Sequence, residues 1–488
     1  MLSGLLPACQ NEKEAPMPNF VVVLTDDLGW GDLSCYGHPI IQTPAIDKLA
    51  SQGMRLTDCH SGGTVCSPSR AALLTGRNPY RSGFHYIADG RNSFLREHEL
   101  TLAELLREKG YQTAFFGKWH LSKLENTDHP NPGDQGFDEW MATSVNAFEG
   151  PENPIHFIRN GEPMGVVDGW YCDIIFEEGK KWLETIDPTR PFLLIISTHE
   201  PHTPVAAPDS LQLIYRDSVL LPVIRSLNYG GIDREVPDTL GAAANYYATV
   251  QQLDHAFGQF MGALDGMGLD KETLVFFTSD NGPEHPVNLE ESQGAWDDPI
   301  RDMCAGTPGP FRGMKRYPYE GGHRVPGIVR WTGKIPAGSV SDELFNGSDI
   351  LPTFCSLAGV ELPADRTIDG ENGWNLLAGR PFERVEPVLW IYPTHGDTWF
   401  RMPQISMRSG PYSLIGWFPP RPAEQQILDW TWTSVPERFE LYNILNDPAQ
   451  KNDLSGDQPE MTASLAAIMI EKWIGIRNDH QAQVTSNQ

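Results

Sequence analysis

A cysteine just ahead of a predicted helix is the first feature of this chain that could carry chemistry. Cys66 and Ser67 precede the run Pro-Ser-Arg-Ala-Ala-Leu-Leu, and Pro68 suits a first helical turn because a proline has no N–H to leave unpaired there. Cys66 therefore falls at a helix N-terminus, where free N–H groups and the helix dipole favour an anion. Arg70, four residues on, would lie above the same end. A buried, inert thiol before a core helix is the alternative.

Two pairs of oxygen-bearing side chains follow apolar runs of the kind that form buried strands. Asp26 and Asp27 come just after the run FVVVL, and Asp280 and Asn281 come just after LVFF. The carboxyl ends of parallel strands are where α/β sheets bind their ligands. Carboxylate and amide oxygens are the ligands that hard cations prefer. A solvated turn is the alternative for each pair taken alone.

Basic and imidazole side chains also follow predicted strands. Thr113–Phe116 is one such strand, and Lys118 and His120 come after it two residues apart. In an extended segment these two side chains point to the same side. His199 follows another apolar run, and Lys315 lies in a basic segment after a long loop. Surface lysines and structural histidines are the alternatives for these positions taken singly.

The motif Cys-x-Pro-x-Arg, extended by Ala-Ala-Leu-Leu-Thr-Gly-Arg over 66–77, resembles the signature of the formylglycine-dependent sulfatases. Three further motifs resemble that family: Gly-Lys-Trp-His at 117–120, Arg-Gly-x-Lys at 312–315 and Glu-Gly-Gly-x-Arg-x-Pro at 320–326. The similarity extends from about Pro18 to about Asp457 and is closest to arylsulfatases and N-acetylgalactosamine-6-sulfatases. It implies that a maturation enzyme oxidises Cys66 to formylglycine (3-oxoalanine), whose hydrate is the nucleophile.

The resemblance also implies a set of site residues. One calcium ion would be held by Asp26, Asp27, Asp280, Asn281 and the modified Cys66. Lys118 and Lys315 would bind the sulfate group, and Arg70 would hold the hydrate. His120 would lie beside the nucleophile, and His199 would protonate the departing alcohol. The implied substrate is a sulfated carbohydrate of galactose or N-acetylgalactosamine type.

Two rival functions stay open from the sequence. A phosphoester or phosphonate hydrolase of the same superfamily could use a similar metal-and-nucleophile layout. A non-catalytic protein that binds sulfated glycans with Cys66 unmodified is the second rival. His395, Trp399 and Trp417 are candidates for stacking against a sugar, with core packing as the alternative. Glu200 and His202 carry no assigned role, and Arg324 is expected to be a structural ion-pair partner.

The patterns along the chain predict an α/β fold, and the resemblance to the sulfatases implies that it is alkaline-phosphatase-like. Apolar strands alternating with helices predict a large, mixed but mostly parallel sheet between helices. After residue 384 the chain becomes richer in Trp, Tyr and Pro and predicts a small antiparallel sheet plus a helix. We therefore divide the chain into a leader or tether (1–17), a catalytic domain (18–384) and a C-terminal α+β subdomain (385–488).

Charge and cysteine usage exclude other classes of protein. The net charge of −27 over 488 residues argues against nucleic acid, whose phosphate backbone requires a basic face. The seven cysteines contain no CxxC pair and are too scattered for a disulfide framework or zinc site, although a single disulfide remains open. An anionic substrate would need a local basic pocket instead.

The first residues resemble the end of a bacterial lipoprotein signal. A short apolar stretch ends at Cys9, and a polar segment follows. This pattern predicts a lipid anchor at Cys9 and a location in the periplasm or at the cell surface of a bacterium, although the basic region that normally begins such a signal is missing.

Overall fold

The computed structural model of the chain has a central mixed sheet with helices on both faces. The structure describes residues 17–88, 93–126, 128–231, 240–284, 304–392 and 403–486. Within these residues no helix has the length and apolar character needed to cross a bilayer.

The strands fall into three sheets. Their bounds are Asn19–Asp26 (β1), Met54–Leu56 (β2), Cys59–His60 (β3), Gln112–Lys118 (β4), Glu139–Thr143 (β5), Ile158–Arg159 (β6), Glu162–Pro163 (β7), Phe192–Pro201 (β8), Thr273–Ser279 (β9), Gly327–Arg330 (β10), Ser339–Ser341 (β11), Phe345–Asn346 (β12), Val388–Ile391 (β13), Ile405–Ser409 (β14), Tyr412–Trp417 (β15) and Arg438–Asn443 (β16). In the described part the largest sheet has the order β11-β2-β10-β9-β1-β8-β4-β5-β6-β7. Strands β9, β1, β8, β4 and β5 run parallel, and β10, β6 and β7 pair antiparallel.

Helices cover both faces of that sheet. Their bounds are Pro44–Gln52 (α1), Cys66–Thr75 (α2), Leu102–Glu108 (α3), Tyr171–Leu183 (α4), Asp209–Tyr215 (α5), Leu221–Ser226 (α6), Leu240–Gly266 (α7), Glu320–His323 (α8), Ile350–Ala358 (α9), Trp374–Leu377 (α10), Ile427–Thr433 (α11) and Pro459–Ser486 (α12). Short 3₁₀ turns lie at Ser34–Tyr36, Ser218–Leu220 and Gly347–Asp349.

The central strand β1 explains why its sequence is apolar without interruption. Val21 and Val23 pack on one face with residues of α1, α4 and α7. Phe20, Val22 and Leu24 pack on the other face with residues of α2, α3 and α9. A strand covered on both faces needs apolar side chains at every position, which is typical of parallel sheets between helices. The mostly parallel sheet between helices predicted from the sequence is confirmed.

The C-terminal residues form the predicted smaller unit. Strands β13 to β16 make an antiparallel sheet in sequential order. Helix α12 packs on it, with Met469 and Trp473 buried against the strands. The predicted antiparallel sheet and terminal helix are therefore confirmed, while the position of the boundary at 384 stays a prediction.

Two helices are preceded by a threonine, and the two threonines behave differently. Thr101 caps α3, because its hydroxyl accepts from Glu104 N at 3.1 Å while the Glu104 carboxylate accepts from Thr101 N. Thr43, which precedes α1, makes no such bond to the helix backbone. Its hydroxyl lies 3.1 Å from Asp47 Oδ1 and also accepts from Ser34 N. Competition from a nearby side chain and loop therefore replaces the cap.

Candidate active site

Four neighbouring strands carry the candidate residues to one edge of the sheet. In the order β9, β1, β8, β4 their carboxyl ends bring Asp280, Asp26, His199 and Lys118 side by side. Asp280 N donates to Thr25 O at 3.0 Å, which continues the pairing of β9 with β1 past the end of β9. Parallel pairing thus assembles side chains that are up to 254 positions apart in sequence.

Helix α2 brings the cysteine to the same edge. Cys66 is the first residue of α2, with Val65 as the N-cap, and Pro68 lies in the first turn as predicted. The thiol is 2% exposed, and burial raises its pKa despite the lysines nearby. The thiol and carboxylate oxygens of Asp26 and Asp280 lie within 4.8 Å of one another. These three side chains could therefore surround one cation.

Arg70 connects this helix to two strands. Its Nε and Nη2 donate to Asp280 Oδ2 at 2.9 and 2.6 Å, and its Nη1 donates to the Lys118 carbonyl at 2.9 Å. Nη1 also contacts Ser197 Oγ on β8. The guanidinium thus fixes the start of α2 against β9, β8 and β4.

Two oxygen atoms of the cluster have no hydrogen-bond partner, although basic and amide groups contact their neighbours. Lys118 Nζ contacts Asp26 Oδ2, yet Asp26 Oδ1 is buried without a partner. Asn281 Nδ2 donates to Asp27 Oδ1 at 2.6 Å, which leaves the Asn281 Oδ1 atom buried without a partner as well. Buried unpartnered oxygens are costly and need an explanation. A bound cation at these oxygens would supply one.

The pKa values of the three aspartates show where burial outweighs the nearby cations and where it does not. Burial raises the pKa of Asp27 to about 7 and that of Asp280 to about 6, even though Lys315 and Arg70 act against it. Burial also acts to raise the pKa of Asp26, but Lys118 and the other nearby cations outweigh it and hold that pKa well below its ordinary value. At Asp27 and Asp280 burial therefore outweighs the cations that contact them, Lys315 and Arg70.

Lys118 and Lys315 contact different aspartates of this cluster, Asp26 and Asp27. Lys118 belongs to β4, where Gly117 precedes it at φ +113°, a conformation that favours glycine. A Cβ at Gly117 would meet the Ser197 carbonyl oxygen at 1.9 Å. Lys315 Nζ lies 2.8 Å from Asp27 Oδ2 and 3.5 Å from Glu284 Oε2.

Glu284 is a site residue that the sequence analysis did not identify. It is buried, lies beside Lys315, and accepts from Arg316 Nη2 at 2.8 Å. The preceding Asp-Asn-Gly-Pro sequence was the available signal, because it fixes residue 284 just past the end of β9.

His120 is buried at the same edge, but its backbone differs from the prediction. The segment after Lys118 is not extended, since His120 has φ +54°. The argument that alternation alone turns both side chains to one side is therefore wrong. His120 Nδ1 is buried without a partner, and burial together with Lys118 and Arg70 holds its pKa well below the usual value. A neutral imidazole with a free ring nitrogen can accept a proton.

Two histidines of β8 and its following turn occupy different environments. His199 Nε2 lies 3.3 Å from the Pro204 carbonyl oxygen, and His199 Nδ1 accepts from Ala147 N at 3.4 Å. Both ring nitrogens therefore face backbone groups, and burial lowers the pKa of His199 to about 4.

His202 faces the aspartates instead. His202 N donates to His199 O at 2.9 Å, and this turn brings the imidazole back towards β1. Its Nε2 lies 3.5 Å from Asp27 Oδ2, and its Nδ1 lies 2.6 Å from the Thr203 carbonyl oxygen. His202 is the second residue whose place the sequence did not reveal. The strand pattern ends at Pro201, so only the turn decides where His202 points.

Asn146 holds the ring of His202. Its Nδ2 lies 2.5 Å from His202 Nδ1 and 2.8 Å from His202 Nε2, and its Oδ1 is buried without a partner. An amide can donate to a neutral ring nitrogen through its NH₂ group or accept from a protonated one through its oxygen. Asn146 can therefore satisfy His202 Nε2 in both protonation states.

A second buried cluster lies between the main sheet and the C-terminal sheet. The carboxylate of Asp58, His60 and the carboxylate of Glu320 also lie within 4.8 Å of one another. Here two arginines occupy the middle. Arg408 donates to Asp58 Oδ2 at 3.0 Å and to Glu320 Oε2 at 2.8 Å, and Arg324 Nη1 lies 2.9 and 3.0 Å from the same two carboxylates. Arg324 is thus an ion-pair partner, as its sequence context suggested.

The candidate sugar-stacking residues have mixed outcomes. His395 and Trp399 lie outside the described residues. Trp417 is partly buried, with Arg438 over its ring at 4.0 Å and its Nε1 donating to Glu440 Oε1 at 2.9 Å. Cys66 is a free thiol, as are Cys35, Cys59, Cys172 and Cys355.

Comparisons with known proteins show which family this chain is similar to. The sequence profile of the family described as "Sulfatase" matches residues 18–360, and that of "N-sulphoglucosamine sulphohydrolase, C-terminal" matches residues 311–478. The N-acetylgalactosamine-6-sulfatase of Canis lupus familiaris is 33% identical over 449 residues, which cover 86% of this chain and 73% of that protein.

Solved structures share the fold at lower identity. The crystal structure of Ps i-CgsB in complex with k-i-k-neocarrahexaose has a TM-score of 0.74 at 24% identity and covers 95% of this chain and 94% of its own. The phosphonate monoester hydrolase of Agrobacterium radiobacter has a TM-score of 0.62 at 20% identity, with 95% and 96% covered. At these identities the likeness shows the fold alone.

Proposed function

The chain belongs to the sulfatase family and is a sulfuric ester hydrolase, and from this we propose that it removes sulfate from a sulfated carbohydrate using a modified Cys66 and one calcium ion. The observation that carries the proposal is the convergence at Cys66. The side chain at this helix N-terminus groups with the Asp26 and Asp280 carboxylates and lies near Lys118 and Lys315.

The donor set fits calcium better than it fits a thiol-binding metal. Asp26, Asp27, Asp280 and Asn281 offer hard oxygen ligands, two of them with buried unpartnered oxygens. A thiol suits softer metals, whereas an oxidised Cys66 would offer oxygen. A calcium ion at these oxygens would supply polarisation of the sulfate, and the oxidised Cys66 would supply a hydrated aldehyde as nucleophile.

The chain's own bases would bind the sulfate group. Lys118 and Lys315 contact Asp26 and Asp27 and lie close enough to Cys66 to act on its charge. Preorganised cations of this kind stabilise charge as it develops in a transition state, because they need not reorient. Arg70 would hold the oxidised side chain through its fixed position at the start of α2.

Proton transfer would use two different histidines. His120 Nδ1, which has no partner, would accept the proton from the nucleophile side. For the departing alcohol we now favour His202 over His199, because both His199 ring nitrogens face backbone groups while His202 Nε2 faces the aspartates. An anionic ester bound nearby would raise the pKa of His202 and help it to hold the proton.

A matched pair of variants distinguishes the two histidines. If His202 carries the proton, His202→Gln should lower kcat by about 10² to 10⁴ for esters with poor leaving groups and much less for an activated aryl sulfate. His199→Gln should cost far less and should not depend on the leaving group. The reverse pattern would return the role to His199.

The substrate class rests on the relatives. The relative named above is an N-acetylgalactosamine-6-sulfatase, and one structural neighbour was solved with a carrageenan-type oligosaccharide. A sulfated galactose or N-acetylgalactosamine unit is therefore the proposed substrate. The sulfate ester would bind in the basic pocket despite the net charge of −27.

The first test is the mass of the peptide that contains Cys66, from protein made alongside a maturation enzyme. Conversion of the thiol to an aldehyde lowers the mass by about 18 Da. Unmodified cysteine in fully active protein would refute the mechanism. Hydrolysis of phosphate or phosphonate esters in preference to sulfate esters would support the first rival, and tight glycan binding without turnover would support the second.

We further propose a bacterial periplasmic or surface location with a lipid anchor at Cys9, which lies outside the described residues. The support is the sequence pattern alone. Expression from a full-length gene with labelled palmitate should label the protein, and Cys9→Ser should abolish the label. An unlabelled wild-type protein would refute the anchor.

A further inference from the structure

A turn beside the two histidines presents an aromatic side chain to solvent. Phe148 is 63% exposed, whereas its neighbours Asn146 and Ala147 are buried. Gly150 N donates to Ala147 O at 2.9 Å, so residues 147–150 form a turn with Phe148 at its tip. Single exposed apolar residues are common on protein surfaces, so the exposure by itself decides nothing.

The contacts of the residues before Phe148 connect this turn to the candidate active site. On one side Asn146 holds His202 Nε2, and Ala147 N donates to His199 Nδ1. Two residues of chain span at most about 7 Å, so Phe148 lies within that distance of Asn146 in Cα position. The backbone of Phe148 therefore lies next to the two residues that contact His202 and His199, and its side chain is exposed at that turn.

The turn is also fastened on its other side. Glu149 pairs with His156 at 2.8 Å, and the Pro151 carbonyl accepts from Tyr171 N at the start of α4. Thr143, where the strand before the turn ends, bonds the Tyr171 hydroxyl at 2.8 Å. A tip held at both ends presents its side chain in a limited range of positions, which lowers the entropy lost when a ligand binds.

From this arrangement we infer that Phe148 is a specificity-determining residue that packs against the ring of the alcohol from which sulfate is removed. The inference rests on the proposed function and extends it. The sulfate group would contact only the buried cations, whereas the leaving group would extend from the histidines towards the turn. The apolar face of a pyranose ring or the face of an aryl ring is the chemistry that such a side chain recognises.

The inference predicts a split between the two halves of the substrate. Phe148→Ala should raise KM for galactose 6-sulfate and for 4-nitrophenyl sulfate about tenfold, with kcat changed by less than about threefold. The inhibition constant of inorganic sulfate should stay within about twofold, because sulfate has no ring to contact Phe148. Phe148→Tyr, which keeps the ring, should retain most of the wild-type KM.

Val340→Ala is the matched control. Val340 is also exposed and apolar, but it lies on the edge strand β11, four strands away from β1. It should leave every constant unchanged. The inference is wrong if Phe148→Ala leaves the KM of the esters unchanged. It is also wrong if the variant weakens the binding of inorganic sulfate as much as the binding of the ring-bearing esters.

The controls also separate this inference from the proposed function. A wild-type protein that is modified at Cys66 yet hydrolyses neither ester would refute the proposed function itself. If the wild type is active and Phe148→Ala leaves its KM values unchanged, only the role of Phe148 is refuted.

Discussion

Two buried clusters of this molecule have similar components and opposite electrostatics. At the strand ends, Asp27 and Asp280 have pKa values raised by burial to about 7 and about 6. At the junction with the C-terminal sheet, burial is outweighed by Arg408 and Arg324, so that the pKa of Glu320 falls to about 2 and that of Asp58 lies well below its usual value.

Unpartnered atoms alone would not separate the two clusters. Asp26 Oδ1 lacks a partner in the first, and Glu320 Oε1 lacks one in the second. The difference lies in what occupies the middle of each group of ligand atoms. In the junction cluster the two guanidinium groups outweigh burial at both carboxylates, whereas at the strand ends the nearby cations do not outweigh burial at Asp27 and Asp280. Similar geometry can therefore mark an ion-binding site or a structural ion-pair network, depending on the charge already present.

The largest expected effect separates the clusters through activity. Asp27→Asn should lower kcat/KM by more than about 10³-fold, because it removes a cation ligand and the partner of Lys315. The metal-free variant should lose less unfolding free energy than the junction-cluster variant Asp58→Asn, since burial already raises the pKa of Asp27 and Lys315 keeps Glu284 as a second carboxylate within 3.5 Å. Steady-state kinetics and melting curves in a chelator measure the two effects. A large loss of metal-free stability would show that Asp27 is structural.

The matching change in the other cluster should act on stability. Asp58→Asn leaves Arg324 and Arg408 with less buried negative charge, and breaking such a pair typically costs about 3–5 kcal/mol. Urea unfolding measures that loss. The rise in melting temperature on adding calcium should persist in this variant, and its disappearance would contradict the division between the clusters.

Acid should weaken the junction cluster through Glu320. Its pKa is about 2 in the folded protein and near 4.5 when unfolded, so its contribution is complete above pH 4.5. The contribution is lost as pH falls from there towards 2, by about 3 kcal/mol in all. Glu320→Gln should flatten this part of the curve of unfolding free energy against pH. An unchanged curve would mean that Glu320 is not the group responsible.

The smallest effect is the stabilisation that calcium itself should provide. Calcium at about 100 times its dissociation constant should add roughly 2.7 kcal/mol to the unfolding free energy of the wild type. Asp27→Asn should abolish that gain, and Asp58→Asn should retain it. Calorimetry with and without a chelator makes the comparison, with magnesium as the control ion.

The sequence revealed most of the strand-end cluster because its information is local. Asp26 and Asp280 each end a run of apolar residues, and parallel pairing then places such ends together without further detail. Cys66 was found for a similar reason, since Pro68 marks the start of its helix. The resemblance to sulfatases supplied the roles, which spacing could not provide.

The residues that the sequence did not reveal depend on turns and on long-range packing. His202 reaches Asp27 only because of the turn after Pro201, and the backbone of His120 departs from the extended form. Arg408 meets Asp58 across 350 positions of sequence, between two separate sheets. No periodic pattern encodes such a meeting, because it depends on how the C-terminal sheet packs on the main one.

The burial of Cys66 limits when another enzyme could act on its thiol. A thiol that is 2% exposed, with the sheet edge behind it and Arg70 close by, offers no access to another protein's active site. An enzyme that oxidises Cys66, as proposed above, would therefore have to act before helix α2 (Cys66–Thr75) forms. In that order of events, each folded copy would be active or inactive from the time of its synthesis or export.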